Sequence, residues 1–550
     1  MKLFNYIDLC FEKFGIKRVF GVPGSLIMPI WQNITNADIM LCSHEQEASY
    51  VATGYSKMSG EPVAVITTGG PGVTNCISGI AAANLDSVPL IYISGRTPET
   101  KKGYGLRQEE GPEDRNYDSV EIMNSMTKKS VIIQEKSTII EDVWNVFCLA
   151  VTKRMGSVHM SIPVDIQETE LDDFKIHTFI NRCVPDNCTC EDFSAFDDII
   201  KCQDKAIIVM GWGCWQAKCV ELVYNLANKI SAPVLVTAKA YGCIKDSNKY
   251  IGKLGYGIND FLIEFIDEFK AEKLLCFGTS FSKKDFSKEI RSRFKDENIY
   301  IFSNSVNDSR KHNVYANWCE ISDLTSFLTY YYANCTENQN KSGEIIDFYK
   351  NKQIEFYTKF IKEEDLMAKA LVSLAQNLTY DMTITADAGN NLLNCATLIT
   401  PRYLGNLILD DGIRAMGSGV CQTAGMALAN PKRKYISVVG DGGMLMNGNI
   451  LYLIAKYKLQ ILVLVVNNES LGRVRMGQLN TNKYIQSDLG SVDFAVYARA
   501  FGIESYEVEK LNDYNEIVLN YIENPRPLVI QLNTSINEIP IMLKSKGVWN

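Results

Sequence analysis

The sequence predicts an α/β protein of three consecutive doubly wound domains with mainly parallel sheets, on three observations. The chain has 550 residues, and at roughly 100–200 residues per domain that is too much for one core. Short apolar runs alternate with helical patterns almost throughout, the rhythm of a parallel sheet covered on both faces. That rhythm falters twice: over 168–193, where Asp, Thr and Cys crowd together and Pro185 interrupts, and over the polar stretch 334–344. The domains are therefore expected at 1–170, 190–335 and 355–545.

Composition narrows the function classes. With 46% hydrophobic and 22% charged residues, the chain is neither disordered nor membrane-embedded. A formal net charge of −8 gives it no global attraction for nucleic acid or anionic lipid, so local donors must hold any anionic ligand. The first residues carry Asp8, Glu12 and Lys13 where a signal peptide needs an uncharged apolar run, and they read as an amphipathic helix. No window approaches about 18 consecutive apolar residues. The 16 cysteines are scattered; Cys188 and Cys190 are the closest pair, and the four histidines give no zinc spacing. Reduced thiols and a cytoplasmic location are expected.

In chain order, buried strands are expected at 63–67 and 90–94, with a small-residue helix at 72–84 between them. Further strands follow at 206–210, 233–237 and 273–278. The last third has strands at 382–386, 435–439, 461–466 and 528–532, and it is a candidate for the same architecture as the first.

The segment Val439-Gly440-Asp441-Gly442-Gly443-Met444 ends a strand and opens a helix. Two glycines beside an aspartate let backbone approach a phosphate at the helix N-terminus, while the carboxylate holds a hard cation. A Gly-Asp-Gly turn alone is common in α/β proteins. Here Asn467-Asn468-Glu469-Ser470 follows the next strand, 468 − 441 = 27 residues on. Asn468 is thereby placed at the adjacent strand end, where Mg²⁺ needs a second oxygen ligand.

This spacing resembles the signature of thiamine diphosphate-dependent enzymes. By that resemblance Asp441 and Asn468 are side-chain Mg²⁺ ligands, Ser470 offers its carbonyl, and Gly389-Asn390-Asn391 bonds the diphosphate. Gly440, Gly442, Gly443, Leu471 and Gly472 complete the cofactor loops, and Met416 wedges under the bent coenzyme. The front of the chain is similar to the family's pyrimidine-binding domain, through Pro23-Gly24, His44-Glu45-Gln46-Glu47 and Gly70-Pro71, with Asn75. Glu45 is the implied partner of the aminopyrimidine ring, and Glu47 stands beside it as the ordinary solvated acid. Gln108, with Glu109, resembles the pair reaching the coenzyme from the first domain. The family's subunits share the site across an interface, so a homodimer or tetramer is implied, and the domains become pyrimidine-binding, central and diphosphate-binding.

Across the chain the resemblance is strongest to the acetolactate synthase large subunit. It implies decarboxylation of a 2-oxo acid and ligation of the resulting enamine to a second carbonyl compound. Two departures bear on this. The stretch Gly278-Thr279-Ser280-Phe281 lacks the arginine of FAD-carrying synthases, and Gly252–Gly257 is only partly like their flavin-contacting loop, which argues against FAD. Where these enzymes carry a pocket-shaping Trp, this chain has Gly477, preceded by Arg473 and Arg475. Such a pocket suits a larger or anionic substrate. A decarboxylase or carboligase for a specialised anionic or sugar-related substrate is therefore the alternative. A catalytically inert homologue retained as a binding subunit is a third reading, opposed by Glu45, Asp441 and Asn468. The isolated histidines oppose a pyruvate decarboxylase-like mechanism using a His-His pair.

Overall fold

The computed structural model describes all residues except 112–116, 183–191, 201–204, 258–259, 281, 283–285, 305–315, 339–342, 411, 480–482 and 547–550. Pro185, Cys188, Cys190, Phe281 and His312 thus lie outside the described residues.

Three six-stranded sheets follow one another along the chain, with every strand pair parallel. The first contains β1 Arg18–Val22, β2 Asp38–Leu41, β3 Val63–Thr67, β4 Leu90–Arg96, β5 Ser130–Ile132 and β6 Val158–Pro163. The second holds β7 Ala206–Met210, β8 Val234–Val236, β9 Tyr250–Lys253, β10 Lys273–Phe277, β11 Ile299–Ser303 and β12 Asn317–Glu320. The third holds β13 Met382–Ala386, β14 Leu407–Leu409, β15 Lys434–Gly440, β16 Ile461–Asn467, β17 Glu504–Val508 and β18 Leu528–Asn533.

The first sheet runs β2-β1-β3-β4-β6-β5 and the third β14-β13-β15-β16-β18-β17, the same order strand for strand. The central sheet, β12-β11-β10-β7-β8-β9, has the order of dinucleotide-binding folds. The central strands are apolar and buried along their length: Ile461–Asn467 reads ILVLVVN with no exposed residue. Helices cover both faces of such a sheet, leaving neither face to water.

Strands not flagged by hydropathy are edge strands or carry polar residues inward. Edge strand β17 has the sequence ESYEV and buries only Val508. Strand β6 is buried throughout although it contains His159 and Ser161. There His159 is satisfied on both nitrogens, by Ser94 Oγ at 2.9 Å and Ser130 Oγ at 2.8 Å.

The first helix, Leu3–Lys13, is amphipathic, but Asp8 does not lie on its solvent face. It is buried and accepts hydrogen bonds from the Thr35 and Asn36 backbone N–H groups, each at 3.0 Å. Between the first and third sheets, helices Glu45–Ser59 and Ser418–Ala429 pack at backbone distance. A Cβ on Gly54 would lie 1.9 Å from Gln422 O, and one on Gly425 1.9 Å from Val51 O. No helix among the described residues is long and apolar enough to cross a membrane.

Candidate active site

In a doubly wound sheet, ligands bind beyond the strand ends where the strand order reverses. In the third sheet that point lies between β13 and β15. A cavity of about 270 Å³ opens there, lined by Gly389, Asn390, Asn391, Met416, Gly440, Asp441, Gly442, Gly443, Asn468, Ser470, Leu471 and Gly472. Residues that are far apart in sequence meet because β15 pairs β16 with Gly440 opposite Val466.

Asp441 is buried at the first turn of helix Asp441–Asn447. Its Oδ1 accepts from Gly442 N at 2.7 Å, and its Oδ2 from Asn468 N at 3.2 Å and Ser470 N at 3.0 Å. Burial pushes its pKa up, and those N–H groups oppose the rise. Asn468 Oδ1 accepts from the same Ser470 N–H at 3.2 Å. A carboxylate oxygen and an amide oxygen therefore lie side by side around the Ser470 N–H, and oxygen ligands of these two types are those a hard divalent cation takes.

The floor is open at Gly389, where nothing lies within 4 Å of an added Cβ, and closely packed at Gly442. A Cβ on Gly442 would sit 2.6 Å from Met416 Cε and 2.8 Å from Leu471 Cδ2. Gly389, at φ 110°, heads helix Asn390–Leu398, and the buried Asn390 Oδ1 has no hydrogen-bond partner among the described residues. A helix N-terminus, glycine backbone and an unpaired amide together suit a phosphate and its cation. The residues present fit a magnesium diphosphate group.

Asp387 immediately precedes the Gly389-Asn390-Asn391 loop, but its carboxylate faces the Met416 turn. It accepts from Gly417 N at 2.7 Å and Gly419 N at 3.0 Å. Asn447 Nδ2 donates to Met416 O at 3.2 Å from the other side. Burial raises the Asp387 carboxyl to about 7, opposed by those N–H groups and reinforced by Asp410.

A second group gathers at the corresponding point of the first sheet, beyond β1 and β3. Glu45 opens helix Glu45–Ser59 and accepts from Asn75 Nδ2 at 2.9 Å. Gly70, at φ 62°, precedes helix Pro71–Leu85. A Cβ there would meet Gln108 Cγ at 2.7 Å. Gly24, after Pro23, packs against Thr68, whose Cβ would lie 2.6 Å from an added Cβ. Glu109 turns into its own loop, accepting from Leu106 N at 2.7 Å, whereas buried Glu110 lies under Gly70 N at 3.5 Å. Glu47 is not the solvated acid expected. It is fully buried and accepts from Ser43 Oγ at 2.5 Å and Asn449 Nδ2 at 2.8 Å across the domain junction.

Among the described residues, none of the first sheet's domain lines the cavity. Of the three specificity candidates, Arg473 lines the cavity and is exposed. Arg475 is held by Asp488 Oδ1 at 2.6 Å and stacks 3.8 Å from the Tyr484 ring. Gly477 is exposed, outside the lining, with nothing within 4 Å of an added Cβ. Met367, Thr534 and Glu538 also line the cavity. No motif pointed to them, because the segment carrying Thr534 and Glu538 reaches the cavity only through the fold.

Comparison with known families agrees with the three-domain α/β fold. Models of the thiamine pyrophosphate enzyme N-terminal TPP binding domain, central domain and C-terminal TPP binding domain match residues 1–121, 195–329 and 387–532. The chain belongs to the thiamine pyrophosphate enzyme family. Among curated relatives it is 27% identical over 545 residues to the acetolactate synthase large subunit of Lactococcus lactis subsp. lactis (strain IL1403), covering 96% of this chain and 91% of that one. The acetolactate synthase isozyme 1 large subunit of Escherichia coli (strain K12) is 25% identical over 556 residues, covering 98% and 95%. A probable acetolactate synthase large subunit of Methanocaldococcus jannaschii is also 25% identical, covering 97% and 92%.

Proposed function

We propose that the protein is a Mg²⁺- and thiamine diphosphate-dependent enzyme that decarboxylates a 2-oxo acid and joins the product to a second carbonyl compound, as in acetolactate synthesis. The observation that carries this reading is the convergence of Asp441 Oδ2 and Asn468 Oδ1 on Ser470 N, at 3.0 and 3.2 Å, in a glycine-floored cavity. The bound coenzyme would supply the electron sink for decarboxylation. This chain's residues bind it, orient it and move its protons. Asp441, Asn468 and the Ser470 carbonyl hold the cation, while Asn390, Asn391 and the glycines hold the diphosphate. Met416, fixed through its neighbours by Asp387 and Asn447, would pack against the coenzyme. Glu45, oriented by Asn75, would exchange a proton with a ring nitrogen of the bound coenzyme, and Gln108, beside Gly70, would help close that end.

Glu45 lies outside the cavity of its own chain, which supports a homodimer in which the partner supplies it. Arg473 at the lining favours a second reading of the substrate, a 2-oxo acid bearing a further anionic group. NMR of the protein with Mg²⁺, thiamine diphosphate and pyruvate, without flavin, tests both. Acetolactate would support the synthase reading, and acetaldehyde would replace it with a decarboxylase. Coenzyme binding without pyruvate loss would move the substrate to larger or anionic 2-oxo acids.

A further inference from the structure

A buried lysine of the central domain has no role in the reading above. Lys253 ends β9, within the segment 252–257 that is only partly like a flavin-contacting loop, and its side chain is buried. Its Nζ crosses to the third domain and donates to Ala396 O and, at 2.9 Å, to Ile399 O. These carbonyls belong to the last turn and the C-cap of helix Asn390–Leu398. Among the described residues no carboxylate pairs with Lys253, and the Tyr241 ring lies 5.5 Å from its Nζ. Carbonyls left open at a helix C-terminus suit a lysine donor. Burial lowers the Lys253 pKa to about 7, and ammonium and neutral amine alike carry the two hydrogens that these carbonyls take.

The other end of the same helix forms part of the cavity. Asn390 and Asn391 are its first two residues and line the cavity, and a helix of 9 residues spans only about 13 Å. At this front end the packing is open. Nothing lies within 4 Å of a Cβ added to Gly389, and Asn390 Oδ1 has no hydrogen-bond partner among the described residues. The helix is gripped further back: Ile541 N donates to Asn394 Oδ1 at 2.9 Å midway, and Lys253 holds the last carbonyls. We propose that Lys253 is a positioning residue for the coenzyme, anchoring helix Asn390–Leu398 from behind so that Asn390 and Asn391 stand where the diphosphate binds. This rests on the coenzyme reading above. Lys253 is not part of the cavity lining, so it acts through the stiff helix between them. Because linkage is reciprocal, coenzyme bound at the first turn also tightens the anchor at the last.

The test is calorimetric binding of Mg²⁺–thiamine diphosphate to wild type, Lys253→Met and Trp215→Phe. Methionine keeps the apolar stem and removes both donated bonds. Trp215→Phe is the control, because it removes another interdomain bond of the central domain, from Trp215 Nε1 to Lys57 O at 2.8 Å, that involves no residue of helix Asn390–Leu398. Lys253→Met should bind the coenzyme about fivefold more weakly or worse, and Trp215→Phe within about twofold of wild type. That difference separates positioning from general loosening of the domain. Equal affinity in all three proteins, or an equal loss in both variants, would overturn the proposal while leaving the coenzyme reading in place. A second arm needs no variant to fold: in wild type, the coenzyme should slow amide hydrogen exchange at 250–254 and 395–399 as well as around the cavity. Unchanged exchange at 250–254 and 395–399 in protein that binds the coenzyme would likewise overturn the proposal alone. Wild type that binds no coenzyme would overturn both.

Discussion

At the scale of single residues, Glu45 and Asp441 are the two positions where chemistry and geometry separate most cleanly. Glu45→Gln keeps an oxygen for Asn75 Nδ2, which donates to Glu45 at 2.9 Å, so fold and coenzyme binding should persist. Loss of the exchangeable proton should lower turnover by roughly 10²–10⁴-fold; a steady-state rate near wild type would remove Glu45 from the mechanism. Asp441→Ala strips the acceptor from three backbone N–H groups and, on the proposed reading, an anionic ligand from the cation. Changes one shell further out already cost about 10–100-fold in metal affinity, so Mg²⁺-dependent coenzyme binding should weaken at least that much by titration calorimetry. Unchanged affinity would rule Asp441 out as a ligand.

At the scale of elements, β6 and the helix pair that joins the outer sheets carry definite expectations. His159 on β6 is fully buried; burial and then Arg96 depress its pKa to about 3. The folded state keeps this ring neutral while the unfolded chain protonates it below about 6.5. Stability from this group is therefore complete above that pH and is lost as pH falls toward 3, by on the order of 5 kcal/mol in all. His159→Gln should flatten the acid limb of the melting-temperature profile relative to wild type. Parallel profiles would show that the ring does not set that limb. Gly54 and Gly425 allow helices Glu45–Ser59 and Ser418–Ala429 to touch backbone to backbone, since a Cβ at either would meet a carbonyl oxygen at 1.9 Å. Gly425→Ala should cost at least about 1–3 kcal/mol through overpacking, read as a lower denaturant midpoint. An unshifted midpoint would mean the helices can separate at little cost.

At the scale of the whole molecule, the separation of Glu45 from the cavity makes a prediction about assembly. If each site is completed by a partner, Glu45→Gln and Asp441→Ala chains that are inactive alone should complement when mixed and allowed to exchange. In a random dimer mixture half the molecules are mixed and each regains one intact site, giving about a quarter of wild-type activity. Mixtures no more active than their parents would place the whole site within one chain.

Much was legible in the sequence because it depends on local spacing. Fully apolar runs such as 461–466 marked the buried strands, and the 27-residue step from Asp441 to Asn468 matched one strand-helix-strand unit whose ends pair in register. The glycines and Asn390 were legible for the same reason, since a turn and the helix it opens are set by adjacent residues. Edge strand β17 escaped because pairing on one side needs little apolar surface. Burial of charged groups escaped as well. Asp8 and Glu47 look like surface acids, yet partners 27 and 402 residues away enclose them. Arg475 is turned aside by Asp488 and Tyr484, and Glu538 reaches the cavity only because β18 and the segment after it fold back against helix Leu366–Gln376. Sequence determined the family, the sheets and the motifs, which follow from short-range periodicity. Tertiary structure alone decided which side chains share a cavity, because burial and hydrogen-bond partners are set by elements far apart in the chain.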